Sequence, residues 1–284
     1  MIELLALPFM VRALLAAAVT GLAAPTIGTY LVQRRLALLG DGLGHVAVTG
    51  VALGLLTGTS PTWFAVAVAV VGAVAIEVIR ERGRTSGDVA LALLFYGGLA
   101  AGVLITGLAG QSASRLQEYL FGSVTSVSAA DVLVTVVLAA VVVTACLGFL
   151  PQLFAVSQDQ DFARVAGVRV RLYNLLVAVL AAVTVTVAMR TVGLLLVSAL
   201  MVVPVATAQQ LTRSFRSTMG TSMVLGLAAS LGGLALAAYL STWGLDVAPG
   251  PTIVLLSLAG FALAWPLGVW QRTRQRRVAE VVHG

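Results

Sequence analysis

The chain's 284 residues are 60% hydrophobic and only 10% charged, with a mean hydropathy of +1.04, which excludes an ordinary soluble domain, where about a quarter of residues are charged. The formal charge is +6, and all 17 basic residues are arginine. Without lysine the chain cannot build a P-loop, and with no basic stripe interleaved with exposed aromatics the charge does not indicate nucleic acid.

Hydrophobic runs bounded by Arg, Pro, Gly or polar clusters predict helices over 6–32, 38–57, 61–80, 88–109, 130–150, 172–189, 192–210, 219–240 and 251–270. A bilayer crossing takes about 20 apolar residues. The first run lacks the basic start of a secretory signal and reads as a span. The second and seventh are short or interrupted by Gly and Pro, so either can be re-entrant, which leaves eight spans as the alternative. Pro204 is expected to kink or break the seventh. The expected fold is all-α: a polytopic transmembrane bundle of about nine helices, one domain over 1–284, with no linker. Cys146 lies in an apolar run and, as the sole cysteine, forms no intrachain disulfide.

Arginine position predicts the topology. Arg34 and Arg35 follow the first run, Arg80, Arg82 and Arg84 the third, and Arg164, Arg169 and Arg171 the fifth; Arg213 and Arg216 follow the seventh, and Arg272, Arg274, Arg276 and Arg277 the ninth. Only Arg12, Arg115 and Arg190 fall elsewhere. If every run spans, these clusters share one face, which the positive-inside rule makes the cytoplasm. The N-terminus is then outside and the C-terminus inside a cell inner membrane, with lipid as the principal surrounding.

The strongest local signal is Gly40-Asp41-Gly42-Leu43-Gly44-His45, at the start of the second run. Ionisable residues inside a span are costly and mark functional sites. The i, i+4 spacing of Asp41 and His45 puts both on one helical face, where a carboxylate oxygen and an imidazole nitrogen can hold a borderline divalent cation. With His45 at zero and about 100° per residue, Asp41 lies near −40° and Thr49 near +40°. Gly40, Gly44, Gly50, Gly54 and Gly58 fall on the other side, stripped for close packing. The same spacing also fits a helix cap at Asp41 with His45 bonded to a neighbouring carbonyl. Two ligands are too few for a tight zinc site, and a symmetric dimer would supply four.

The second signal is Asp159-Gln160-Asp161-Phe162-Ala163-Arg164-Val165-Ala166-Gly167. Asp159 reads as an N-cap, Asp161 favours the helix start and Gly167 reads as the stop. This short helix outside the membrane, at about 159–167, either rests on lipid headgroups or docks a cytoplasmic partner through Phe162 and Arg164. Among other ionisable residues, Glu77 is expected to snorkel or pair with an arginine, and Asp88 to cap the fourth helix, while Glu118 and Asp131 sit in or beside the outer loop. Arg190 needs a partner or water. With two histidines and one cysteine, no enzymatic constellation stands out.

The Asp41–His45 segment, continued by Thr49-Gly50-Val51-Ala52-Leu53, resembles the Ser-Asp-x-x-Ser-His pattern of the permease family of zinc, manganese and iron(II) ABC importers. Leu120-Phe121-Gly122-Ser123 with Val127-Ser128 resembles its outer segment, and Asp159–Gly167 its coupling helix. Gly193–Leu200, Pro204–Ala208 and Pro249–Val254 resemble further family segments in the same order. Gly40 and Gly44 stand where the family often has Ser, and Gln160 replaces a common Pro. The resemblance implies a non-enzymatic permease that binds no cofactor of its own. It implies a transported divalent metal, zinc ahead of manganese or iron, held in passage by Asp41 and His45. It also implies three partners: a second permease copy, a cytoplasmic ATP-binding subunit docked on Asp159, Asp161, Phe162, Arg164 and Gly167, and an extracytoplasmic metal-binding protein. A gradient-driven secondary metal transporter is the alternative from another class.

Overall fold

The computed structural model describes residues 7–82, 87–110, 120, 122, 127–245 and 247–283. Among them the regular structure is helical: α1 Pro8–Gln33, α2 Leu39–Leu56, α3 Pro61–Glu81, α4 Gly87–Leu108, α5 Ala129–Gly148, α6 Leu150–Gln158, α7 Gln160–Val165, α8 Val170–Val192, α9 Leu194–Leu211, α10 Phe215–Ser241 and α11 Pro249–His283. Among the described residues, nine of these are long and apolar enough to cross a membrane. α6 and α7 are not.

Local chemistry sets the boundaries. Pro8 and Pro61 open α1 and α3 within the first turn, where a missing N–H is tolerated. Capping boxes open α5 (Ser128 with Asp131) and α10 (Ser214 with Ser217). α1 stops in a Schellman turn: Arg35 has φ 59°, the Leu36 N–H donates to the Leu31 carbonyl at 2.8 Å, and Arg35 N–H to Val32. Gly193, at φ 90°, divides α8 from α9. The spans fall where the hydrophobic runs put them, with three extensions, the longest in α11, which continues past its run to His283. α8 runs from Val170 to Val192, taking in Arg171 and Arg190, because both arginines find carboxylates (Glu81 and Asp131). α10 begins at Phe215 because its polar start is a cap rather than a loop.

The two doubtful runs are continuous helices. α9 passes unbroken through Pro204. It is packed closely enough for the Gly28 Cα to rest on the Met201 carbonyl, and neighbouring helices of this kind are what make proline tolerable inside a span. α1, α2 and α8 are the most enclosed helices, whereas α4, α5 and α11 leave most of their apolar surface uncovered. The core runs through Ile27, Tyr30, Leu43, Met189, Leu196 and Met201. Cross-helix ties agree with alternating spans: Arg34 to Glu77 and Arg171 to Glu81 at the arginine-rich end, and Arg190 to Asp131 and Thr62 at the other.

Candidate metal site

α2 carries the Asp–His pair into the bundle. Leu38, at its N-cap, makes no side-chain cap. Asp41 stands in the first turn, where a carboxylate suits the positive end of the helix dipole, yet among the described residues no hydrogen bond reaches its side chain. Its charged neighbour is His45, with Oδ1 and Nε2 3.9 Å apart. That is too long for a direct hydrogen bond and leaves room for a common ligand between them. The His45 side chain is 12% exposed and that of Asp41 29%. His45 Nδ1 is buried without a hydrogen-bond partner, so the imidazole is not bonded to a neighbouring carbonyl.

The pair follows a turn that packs against α8 and α9. A Cβ on Gly40, the residue before Asp41, would meet Met201 Sδ at 2.7 Å and Val185 Cγ2 at 3.9 Å, both in the middle stretches of their own helices. α4 forms the other wall. The Phe95 ring stands edge-on to His45 with centroids 4.3 Å apart, and Tyr96 stands edge-on to Phe95. Gly98 allows this approach, since a Cβ there would sit 2.7 Å from Val46 N. The Thr49 hydroxyl donates to the Gly98 carbonyl at 2.7 Å and locks the crossing. Asp41 faces a cleft of about 300 Å³ lined by Leu38, Leu91, Ala92, Phe95 and Tyr96. The cleft opens on the flank of the bundle, where Leu38 is 71% and Tyr96 68% exposed.

The glycine face packs as the helical wheel predicts at Gly40, Gly44, Gly50 and Gly54, but not at Gly58, which lies beyond the end of α2 at φ 66° with no neighbour against it. Gly44 is pressed against the Leu194 side chain, and Gly50 lies on the backbone of Phe64 and Ala65. A serine at 40 or 44 would therefore point into α9 and away from the pair, so these two departures from the Ser-containing pattern concern packing rather than ligands. Among the described residues no group of three or more His, Cys, Asp or Glu side chains converges. Phe95 and Tyr96 do not stand out when each residue is weighed by its ionisable chemistry. The signal for them was the Phe95-Tyr96-Gly97-Gly98 run inside a span, a bulky pair beside two glycines.

At the arginine-rich end, α7 has the predicted caps. The Asp159 carboxylate accepts from the N–H groups of Asp161 and Phe162 at 2.9 and 3.0 Å. Gly167 closes a Schellman turn at φ 81°, with the Val168 N–H donating to Ala163. Ala163 is buried with Val156 and Val170, which fixes α7 to α6 and α8. Phe162 and Val165 project outward, 68% and 89% exposed, and Arg164 pairs with Asp161 at 2.9 Å on the surface. Glu77 pairs rather than snorkels, donating no surface charge: it is buried between Arg34 and Arg80. Arg190 finds Asp131 at 3.0 Å. The side chain of Asp88, on which its expected cap depends, and Glu118 lie outside what the structure describes.

Residues 6–266 match the profile of the ABC 3 transport family. The chain is 31% identical over 272 residues to the manganese import system permease protein ScaB of Streptococcus parasanguinis, covering 95% of each protein. It is 28% identical over 252 residues to the high-affinity zinc uptake system membrane protein ZnuB of Haemophilus influenzae, covering 89% of this chain and 95% of that one. Among solved structures it superposes on PsaBC from Streptococcus pneumoniae in complex with Fab, with a TM-score of 0.82, 29% identity, and 93% and 94% of the two chains covered.

Proposed function

We propose that this chain, which belongs to the ABC 3 transport family, is the multi-pass permease subunit of an ATP-driven importer for a divalent transition metal, with zinc its foremost substrate. Membership of an ABC family sets aside the gradient-driven alternative and any enzymatic role, and it leaves ATP hydrolysis to a separate subunit. The observation that carries the metal reading is the Asp41–His45 pair. A carboxylate and an imidazole lie 3.9 Å apart, the imidazole's Nδ1 buried without a hydrogen-bond partner among the described residues, beside a cleft open on the bundle's flank.

Two ligands do not complete a metal site. A second copy of the chain, applied to the flank where Leu38, Leu93 and Tyr96 are exposed, brings a second pair across the two-fold axis and takes Asp41 away from lipid. Four ligands, two carboxylates and two imidazoles, suit tetrahedral zinc, whereas manganese favours more oxygen donors. The chain has relatives named for zinc and for manganese, and the donor set is what favours zinc. The arginine-rich end is cytoplasmic, so the N-terminus is outside and the C-terminus inside. α7 then faces the ATP-binding subunit, and the opposite end receives an extracytoplasmic metal-binding protein. The selecting experiment is uptake of radioactive zinc, competed with manganese and with iron(II), in vesicles holding the complete importer. Zinc resisting a tenfold excess of manganese, about 1.4 kcal/mol of preference, supports the reading; displacement by equimolar manganese contradicts it.

A further inference from the structure

Beneath the metal-bearing helix is a second charged cluster that metal coordination does not use. Glu77 of α3 is buried with a side chain 5% exposed and accepts a hydrogen bond from Arg80 Nη1 at 2.8 Å. Its other oxygen faces Arg34 Nη2 at 3.7 Å, an ion pair too long to be a hydrogen bond. The Arg34 side chain is 3% exposed, and its Nε and Nη2 have no hydrogen-bond partner. Desolvation draws its pKa down to about 10, with Glu77 opposing the shift and Arg80 adding to it, so the guanidinium is charged near neutral pH. Two cations share one buried anion, and two nitrogens of one cation are buried without a hydrogen-bond partner among the described residues. A buried charge so placed costs several kcal/mol unless another arrangement completes it.

The position of the cluster gives it a use. Arg34 is the C-cap of α1, and the tight turn through Leu36 leads directly into α2, with Leu39 N–H donating to the Leu36 carbonyl at 3.0 Å. Asp41 follows in the first turn of that helix. One turn beyond Glu77, Glu81 meets Arg171 Nε at 2.9 Å, and Arg171 opens α8, whose Val170 shares a small core with Ala163 of α7. The exposed Glu81–Arg171 pair contributes under about 1 kcal/mol, so the energy lies in the buried cluster.

We infer that the Arg34–Glu77–Arg80 cluster is the joint that relays movement of α7 to α2, Glu77 exchanging its hydrogen bond from Arg80 to Arg34 as the metal cavity changes its opening. An approach of about 1 Å between α1 and α3 makes the new bond, and the two arrangements form the discrete pair that coupling between distant sites requires. Arg34 and Glu77 are positioning residues and do not touch the metal. The inference rests on the importer reading above.

Glu77→Gln strands two arginines without an anion and risks misfolding. The informative variant is the double Arg34→Met, Glu77→Met, since apolar replacement of a buried pair is often neutral or stabilising. Vesicles with the complete importer are assayed for radioactive zinc and manganese transported per ATP hydrolysed, beside the thermal midpoint and the zinc affinity of the permease. The double variant is expected to keep its midpoint, its zinc affinity and ATP hydrolysis, while metal moved per ATP falls about tenfold, within the range of ordinary allosteric couplings. A wild-type ratio overturns the inference. So does a fall in midpoint that accompanies the loss of transport, which assigns the cluster to structure alone. If wild-type vesicles take up neither metal on ATP addition, the importer reading fails first, and the inference with it.

Discussion

Asp41 stands in the first turn of α2, where the helix dipole favours a carboxylate, but among the described residues no hydrogen bond reaches its side chain and its charged neighbour is His45. His45→Ala removes the nitrogen donor. It should raise the dissociation constant for zinc, measured by titration of the purified permease, by more than the 10–100-fold typical of losing an outer-shell partner. A smaller change would place the ion away from α2. Gly44 makes a contrasting case, because its neighbour is the Leu194 side chain rather than the pair. Gly44→Ser should lower stability by about 1–3 kcal/mol through overpacking, read as a lower thermal midpoint, with zinc affinity kept in the folded fraction. Unchanged stability with altered metal preference would contradict that. At this scale Asp41 and His45 were legible because helical spacing alone juxtaposes them. Phe95, Arg34 and the partner of Arg190 were not, because each contact joins segments far apart in sequence and depends on how helices cross.

Among the elements, α7 is the one whose role depends least on the membrane. Its caps were readable because Asp159 and Gly167 act within a few residues of themselves. Its attachment through Ala163 was not, since α6 and α8 supply the other half of that small core. With Phe162 and Val165 outside and the Arg164–Asp161 pair adding little on the surface, α7 contributes to the bundle mainly through Ala163. Phe162→Ala with Arg164→Glu should therefore leave insertion and thermal midpoint unchanged while weakening ATPase binding by about 2 kcal/mol or more, the scale of an aromatic anchor. Normal co-purification of the ATPase and normal coupling in that double variant would return α7 to a lipid-resting helix. α9 shows the opposite limit. Pro204 predicted a kink or a break, and the helix continues without a break because tertiary packing overrides the local preference.

For the whole molecule, composition alone implied the membrane, and the spacing of arginines implied an alternating set of spans. Ion pairs at both ends of the bundle join the helices in that alternation. Cysteines at Arg82 and Arg169 should be shielded from an impermeant thiol reagent applied outside, and cysteines at Thr59 and Ser241 labelled; native Cys146 is buried and silent. Outside labelling at Arg169 would invert the topology and remove α7 from the ATPase. The proposed dimer rested in the sequence only on a need for more ligands, because the exposed flank beside α2 and α4 emerges only when the helices are packed. The most direct test of the account is ATP-driven uptake of radioactive zinc by Asp41→Asn in vesicles holding the complete importer, with protein level matched to wild type. Asparagine caps a helix about as well as aspartate but brings no charge to a divalent ion. Uptake reduced to background, with the ATPase still bound, is the predicted result; uptake near the wild-type rate would make Asp41 structural and put the ion path elsewhere.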